Sequence, residues 1–302
     1  MIASTMPVLT IHHKTEYRYA HPVAFGEHRI MLRPRDGHDL RVLSGSLTIV
    51  PEPMSLRWIH DVFGNSVAIA TFDERAQTLS FLSTAVVEHH PAEEFQPAAD
   101  DPAYFYPFVY NKDEFPDLVQ FITPQYGDPA GALSAWALDF LHPEGPTPTF
   151  HILSGMTHGI PKQFSYRKRH EHGTQHPLDT LQTRSGTCRD YALFMIEALR
   201  RLGIAARFVS GYIFIPGDRA HNYAGGGSTH AWVQVYLPSA GWIEFDPTNG
   251  IVGTRDLIRV AVARDPRQAI PLHGTYLGPA DAFLGMEVGI RVISAAEQVV
   301  ET

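Results

Sequence analysis

From residue 9 to about residue 90, apolar and polar positions alternate in short runs separated by turn chemistry. Residues 9–19 read as a strand, broken at Pro22-Val23. Residues 27–33 alternate again, and Pro34-Arg35-Asp36-Gly37 is a turn. Residues 40–50 carry Leu43, Leu47 and Ile49 and close at Pro51-Glu52-Pro53. Residues 56–59 lead into the turn Asp61-Val62-Phe63-Gly64-Asn65, and residues 67–72 and 79–87 follow as strands. Short strands at regular spacing predict an all-β sandwich or barrel-like module.

The pattern then changes. Residues 91–128 are rich in proline and acid, with aromatic residues at Tyr104, Phe105, Tyr106, Phe108 and Tyr110. This reads as a linker whose aromatics pack it onto its neighbours. Residues 130–141 and 149–160 have helical periodicity, and Pro148 suits the first turn of the second. Phe164-Ser165-Tyr166 is strand-like, and residues 167–173 form a basic, polar loop. Residues 180–187 are polar with no apolar period, whereas residues 191–202 are strongly apolar. Ala192, Met195, Ile196, Leu199 and Leu202 form one helical stripe, and the wider apolar surround predicts a buried central helix. Gly203 stands at its expected C-terminal cap. Beyond it, residues 206–215 form a strand, residues 216–228 a glycine-rich loop that reads equally as a lid or substrate rim and as a plain long connection, and residues 229–237 and 242–246 a hairpin around Pro238-Ser239-Ala240-Gly241.

Composition narrows the function. The 302 residues are 44% hydrophobic and 19% charged, with net charge −8 and no basic block, which speaks against nucleic acid. The N-terminal residues lack a signal-peptide pattern, and no apolar run is long enough to span a membrane. A single cysteine leaves no intramolecular disulfide framework and points to a reducing compartment, by default the cytoplasm. Of the 17 histidines, the pairs His12-His13 and His89-His90 sit on strands, where adjacent side chains point to opposite faces and grip one ion poorly. His170, His172 and His176 lie in a polar loop. No metal site is assigned to either group.

Cys188, the one cysteine, falls where the polar loop turns into the central helix. The first N–H groups of a helix lack internal partners and carry partial positive charge. A thiolate there is stabilised, and its pKa can drop from about 8.5 into the range of roughly 3.5–7.5 when a cation is near. The same N–H groups can hold an oxyanion. His230 opens one strand of the hairpin and Asp246 closes the other, so both lie at one end of it. A four-residue turn pairs Leu237 with Trp242 and sets Asp246 opposite Val233. On that register a contact between His230 and Asp246 needs a bulge, a shifted turn or a bent loop. If they meet, a thiol, an imidazole and an orienting carboxylate are all present.

The segments Gly186-Thr187-Cys188-Arg189-Asp190-Tyr191-Ala192, residues 199–207, Val209-Ser210-Gly211-Tyr212, His230-Ala231-Trp232-Val233 and residues 242–248 resemble the bacterial branch of the transglutaminase-like superfamily. Tyr17-Arg18-Tyr19, Pro22-Val23, Leu32-Arg33-Pro34-Arg35 and Phe63-Gly64-Asn65 resemble the β domain that precedes the core in that branch. The resemblance implies an α+β protein: an N-terminal all-β domain over residues 1–95, a linker over 96–128, and over 129–302 a papain-like core with a C-terminal extension. In such a core, the helix bearing the cysteine packs on an antiparallel sheet. It maps the nucleophile to Cys188, the base to His230 and the orienting carboxylate to Asp246, and implies that the last two meet on adjacent strands. Tyr166 matches the aromatic ahead of the cysteine loop, a candidate oxyanion or substrate contact. At Arg264-Asp265-Pro266 a proline stands where relatives carry tyrosine, so substrate contacts are not carried over to this loop.

The implied chemistry is cysteine-dependent acyl transfer on an amide or peptide bond through a thioester, with hydrolysis favoured over glutamine crosslinking. No metal or organic cofactor is required, and the implied partner is a peptide or protein amide. Peptide N-glycanases share this core but carry paired CxxC zinc ligands, which one cysteine cannot supply. A non-catalytic interaction scaffold is the reading from another class. Retention of all three residue types favours the enzyme.

Overall fold

The computed structural model of the chain describes residues 7–91, 97–167, 173–215, 224 and 227–294. The N-terminal module contains β1 (Val8–Ile30), β2 (Leu40–Val50), β3 (Ser55–His60), β4 (Ser66–Thr71) and β5 (Arg75–His89). β1 is a single strand of 23 residues, without the break expected at Pro22. The reason lies in the pairing. The ladder with β5 lapses between Arg18 and Val23, so the missing N–H of Pro22 leaves no bond unmade.

The linker carries β6 (Phe105–Tyr106) and a helix that periodicity did not reveal, α1 (Phe115–Ile122), with proline in its first turn and Leu118 and Phe121 buried. Its aromatics anchor it as expected. The Tyr106 hydroxyl donates to the Leu202 carbonyl at 3.0 Å, and the Tyr110 hydroxyl accepts from the Ala205 N–H at 2.7 Å. Next come α2 (Ala132–Leu138), β7 (Thr147–Pro148), α3 (Thr149–Gln163), β8 (Ser165–Tyr166), α4 (Pro177–Thr183), β9 (Ser185–Gly186) and α5 (Cys188–Arg201). The core sheet is built from β10 (Ala206–Ile213), β11 (His230–Leu237), β12 (Gly241–Asp246), β13 (Ile251–Val252) and β14 (Leu257–Ala263), in the order β13-β12-β11-β10-β14.

The chain then returns to its start. β15 (Leu272–Leu277) and β16 (Phe283–Ser294) pair antiparallel with the two halves of β1. They complete a seven-stranded antiparallel sheet that curls around β1. The result is an α+β fold, a β module followed by a helix-and-sheet core.

α5 is the hub. Nearly every residue from Cys188 to Arg200 is buried. Ala231, Val233, Val235 and Phe245 of the hairpin share its apolar core, which extends to Leu9, Met31 and Ile69 of the N-terminal sheet. The helix ends as its sequence predicts. Gly203 takes a positive φ of 74°, Ile204 N–H donates to Leu199 O and Gly203 N–H to Arg200 O, both at 3.0 Å. That reversal satisfies carbonyls the helix leaves open, and glycine adopts it without a Cβ penalty.

Polar groups join the two sheets. Asn65, from the turn Phe63-Gly64-Asn65, accepts from Val262 N–H at 2.9 Å and donates to Val262 O at 2.8 Å. Arg259 of β14 reaches Asp39 on one side and Glu244 on the other, each at 2.7 Å. Among the described residues, no helix is long and apolar enough to cross a membrane.

Candidate active site

The start of α5 is fixed from both directions. Thr187 precedes the helix with extended geometry, φ −93° and ψ 175°. Its N–H and hydroxyl donate to Asp190 Oδ2 at 2.8 and 2.9 Å, and Gln175 N–H donates to Asp190 Oδ1 at 2.8 Å. Asp190 also lies in the first turn, where a negative charge complements the helix dipole. Cys188 is the first helical residue, and its thiol is free and buried.

Tyr166 comes to this point through a small parallel pairing. β8 runs beside β9, with Ser165 opposite Ser185 and Tyr166 opposite Gly186. Burial pushes the Tyr166 phenol above its usual range, the charge and side chain of Cys188 push it further, and the Cys188 backbone N–H opposes them in part. A phenol held protonated is a standing O–H donor.

The hairpin register differs from the expected one by a single residue. Leu237 pairs with Gly241, not Trp242, and Val233 pairs with Phe245. The turn is one residue shorter than counted, and the positive φ values of Ser239 (67°) and Gly241 (75°) close it. Because strand side chains alternate, one residue decides the face. With Phe245 opposite Val233, Asp246 falls on the face of Trp232 and therefore of His230. The two side chains meet diagonally, a separation long side chains can bridge. His230 Nε2 donates to Asp246 Oδ2 at 2.7 Å, with both side chains fully buried.

Asp246 is saturated by donors. Thr248 N–H reaches Oδ1 at 2.8 Å and Asn249 Nδ2 reaches Oδ2 at 2.8 Å. Burial disfavours the carboxylate, but His230 and these donors outweigh it and hold its pKa below the ordinary value. For His230 the balance has the opposite sign. Burial disfavours the imidazolium, yet the Asp246 charge and hydrogen bond, with a smaller contribution from Cys188, raise its pKa to about 10. With Nε2 donating to the carboxylate, Nδ1 is the free nitrogen. It is buried, has no hydrogen-bond partner among the described residues, and the titratable group acting on it besides Asp246 is the Cys188 thiol.

Trp232 lies beside the imidazole. The two rings stack at 6.0 Å with an interplanar angle of 27°. The indole is held by Glu244 Oε2, which accepts its N–H at 2.9 Å. Gly211, opposite His230 on β10, makes room for it. A Cβ there would overlap the Ile258 carbonyl oxygen and stand 2.6 Å from the Trp232 ring.

The four residues singled out from the sequence thus divide into two linked pairs, His230 with Asp246 and Cys188 with Tyr166. Asn249 and Thr248 escaped the sequence reading, although Asn249 follows Asp246 in the same turn, an Asp-Pro-Thr-Asn-Gly run that signals tight local hydrogen bonding. Arg189, next to Cys188, donates to Pro266 O at 2.7 Å and Ala269 O at 3.3 Å. This pins the Arg264-Asp265-Pro266 loop to the start of α5. Asp265 there is buried and accepts from Tyr126 and Arg267.

The remaining histidines sit elsewhere. His12 meets Thr84 Oγ1 at 3.3 Å, while His13, on the other face, lies between the Tyr212 hydroxyl and Thr15 Oγ1, each at 3.0 Å. His90 contacts Glu88 at 3.3 Å, and His89 is buried. His176 caps α4, accepting from Leu178 N–H at 3.2 Å. His170 and His172, and residues 216–223 and 225–226 of the glycine-rich loop, lie outside the described residues.

Known proteins with these features can now be set beside the chain. Over 92% of its length it is similar to an uncharacterized protein of Mycobacterium tuberculosis, 28% identical over 298 residues and covering 90% of that protein. A protein-glutamine gamma-glutamyltransferase of Pseudomonas aeruginosa is 33% identical over 161 residues, covering 52% of this chain and 23% of the other. A solved structure of a candidate cysteine protease from Cytophaga hutchinsonii shares the fold, with a TM-score of 0.69 at 20% identity over 96% of this chain and 91% of that one. Residues 9–88 match the family of the bacterial transglutaminase-like N-terminal region, and residues 145–247 match the transglutaminase-like superfamily. The curled β module answers to the first and the helix–hairpin core to the second, and the chain belongs to the bacterial branch of the transglutaminase-like superfamily.

Proposed function

We propose that the protein is a cysteine-dependent acyl-transfer enzyme acting on amide or peptide bonds, with Cys188 as nucleophile, His230 as base and Asp246 as the carboxylate that orients it. The observation that carries this reading is the buried 2.7 Å contact from His230 Nε2 to Asp246 Oδ2, which leaves Nδ1 for the Cys188 thiol. His230 Nδ1 takes the thiol proton. Sγ attacks the substrate carbonyl, and the oxyanion is received by the Cys188 N–H at the helix start and by the Tyr166 hydroxyl. The carbonyl C–N bond breaks as Nδ1–H protonates the departing amine or ammonia. Water, deprotonated by His230, then attacks the thioester and releases the acid together with the free thiol.

Hydrolysis is the favoured outcome for a peptide or protein amide substrate. Transamidation differs only in the second acceptor, an amine in place of water, and the similarity to a protein-glutamine gamma-glutamyltransferase favours it as the second reading. A free thiol fits a reducing location, the cytoplasm.

The test is a peptide and carboxamide library read by mass, with and without a primary amine, for wild type and Cys188→Ala. Acid products that require Cys188 support hydrolysis. Amine adducts that require Cys188 move the assignment to transamidation. No Cys188-dependent product, together with a thiol that alkylates like a free cysteine, near pH 8.5 and not below, favours a scaffold.

A further inference from the structure

Asn249 uses both ends of its side-chain amide. Nδ2 donates to Asp246 Oδ2 at 2.8 Å and to the Ala224 carbonyl at 3.3 Å. Oδ1 accepts the Ala224 N–H at 2.8 Å. Two protons on one nitrogen are then both committed, so the 3.4 Å approach of Nδ2 to His230 Nε2 is not a donation to the ring. Nε2 instead carries its proton toward the Asp246 carboxylate, and Nδ1 is the nitrogen without a partner among the described residues. Asp246 Oδ2 is shared by two neighbouring donors, His230 and Asn249, whose nitrogens stand 3.4 Å apart.

Ala224 belongs to the segment that leads into His230, whereas Asn249 follows Asp246. We infer that Asn249 is a positioning residue that ties Ala224 to the His230–Asp246 pair, so that the orientation of the imidazole depends on the hydrogen bonds Asn249 makes. If Ala224 moves away, Asn249 loses two of its hydrogen bonds. The amide that donates to Oδ2 is then no longer held from its other end. The inference rests on the acyl-transfer reading above. Its test reads the thiol itself and so needs no substrate.

The experiment follows iodoacetamide labelling of the single cysteine by intact mass from pH 5 to pH 9. The variants are wild type, His230→Ala, Asn249→Ala, Asn249→Asp and Ala224→Pro. Titratable groups acting on His230 are Asp246 from β12 and Cys188 from α5, and the Tyr166 phenol of β8 acts in turn on Cys188. Wild type is expected to label rapidly near pH 6 and His230→Ala to lose that limb.

Asn249→Ala should slow labelling at pH 6 by roughly ten- to a hundred-fold, the scale of ångström-level misplacement. Ala224→Pro removes the N–H that Oδ1 accepts and should lower the same limb. Asn249→Asp keeps that acceptor but sets a second carboxylate beside Asp246. It should move the alkaline end of the profile upward, a change that loss of fold alone does not produce. If wild type shows the His230-dependent limb and the Asn249 variants reproduce its profile, the positioning role is overturned and acyl transfer stands. If wild type itself lacks the limb, the acyl-transfer reading fails, and the positioning role fails with it.

Discussion

His230 Nε2 meets Asp246 Oδ2 at 2.7 Å across a hairpin whose register places them diagonally rather than opposite. A diagonal contact depends on the carboxylate being held by something other than strand pairing. Thr248 N–H and Asn249 Nδ2 do this. Asp246→Asn should therefore keep the fold, since an amide fills the same space, but lose the charge and the acceptor pattern that fix the tautomer. Turnover on any amide found to require Cys188 is expected to fall by about 10³–10⁴. Steady-state kinetics with a matched unfolding curve check it. Unchanged turnover would show that another group orients the imidazole.

Stability should pass through a maximum with pH, and two buried histidines set its sides. His13 is buried, and its pKa is lowered by burial to about 4 from an ordinary 6.5. Between those values the unfolded chain binds more protons than the native one, so stability rises with pH. His230 is raised to about 10, burial being outweighed by Asp246 and Cys188. Its contribution is complete below 6.5 and is lost as pH climbs toward 10, because there the native state holds the extra proton. Urea midpoints measured from pH 4 to pH 10 should rise, level near 6.5 and then decline. In His230→Ala the decline should flatten while the acid side stays. A His230→Ala curve that falls as steeply as wild type would assign the alkaline loss to another group.

How much of this was legible in the sequence depends on the range of the interaction. The helix that begins at Cys188 was readable because a polar loop gives way to apolar residues at one point and Gly203 marks the end. The hairpin was readable from alternation, but its register was not. Ser239, a residue with no strong left-handed preference, takes a positive φ and shortens the turn. That single residue moves Asp246 from the wrong face to the right one. α4 was missed because Pro177-Leu178-Asp179-Thr180-Leu181-Gln182-Thr183 is short and polar, with a histidine as its cap. The return of β15 and β16 to β1 had no local signature, because strand pairing between opposite ends of a chain leaves no periodicity of its own. The roles of Asn65 and Arg35 became visible only with both sheets in place, where Asn65 bonds Val262 and Arg35 Nη1 donates to Asn65 Oδ1 at 2.7 Å.

Tyr166→Phe tests the phenol separately from its ring. The ring packs edge-on against Tyr191, with centroids 6.3 Å apart, and phenylalanine keeps that contact. Folding should be unaffected. If the hydroxyl receives the oxyanion, kcat should drop by about 10²–10³ with KM little changed. A rise in KM at constant kcat would instead assign the hydroxyl to uniform substrate binding.

Gly211→Ala should damage the site without touching any polar group in it. The added methyl would overlap the Ile258 carbonyl oxygen and press on the Trp232 ring, and neither is the free end of a flexible side chain. Overpacking of this kind costs about 1–3 kcal/mol. Because Trp232 stacks on His230, the imidazole plane should shift with it. The measurable outcome is a lower urea midpoint together with slower labelling of Cys188 near neutral pH. A lower midpoint with normal labelling would mean that the ring stack does not orient His230.

Arg259 is the strongest test of whether the N-terminal sheet supports the site. Its guanidinium spans the buried carboxylates of Asp39 and Glu244 at 2.7 Å each. Glu244 in turn holds the indole N–H of Trp232, whose ring stacks on His230. The path from Asp39 to the imidazole is therefore continuous. Burial raises the Glu244 pKa even with Arg259 present, its opposition notwithstanding. Arg259→Met would leave two buried carboxylates without their cation, a loss of about 3–5 kcal/mol. Glu244 should then take up a proton at higher pH than in wild type, so the variant should gain stability relative to wild type as pH falls through the acidic range. Adding Glu244→Gln should recover part of the loss at neutral pH, since the amide oxygen can still accept from Trp232 and no charge remains to be neutralised. If Arg259→Met alone matches wild type in urea midpoint and in Cys188 labelling, the Asp39–Arg259–Glu244 chain neither holds the two sheets together nor orients His230.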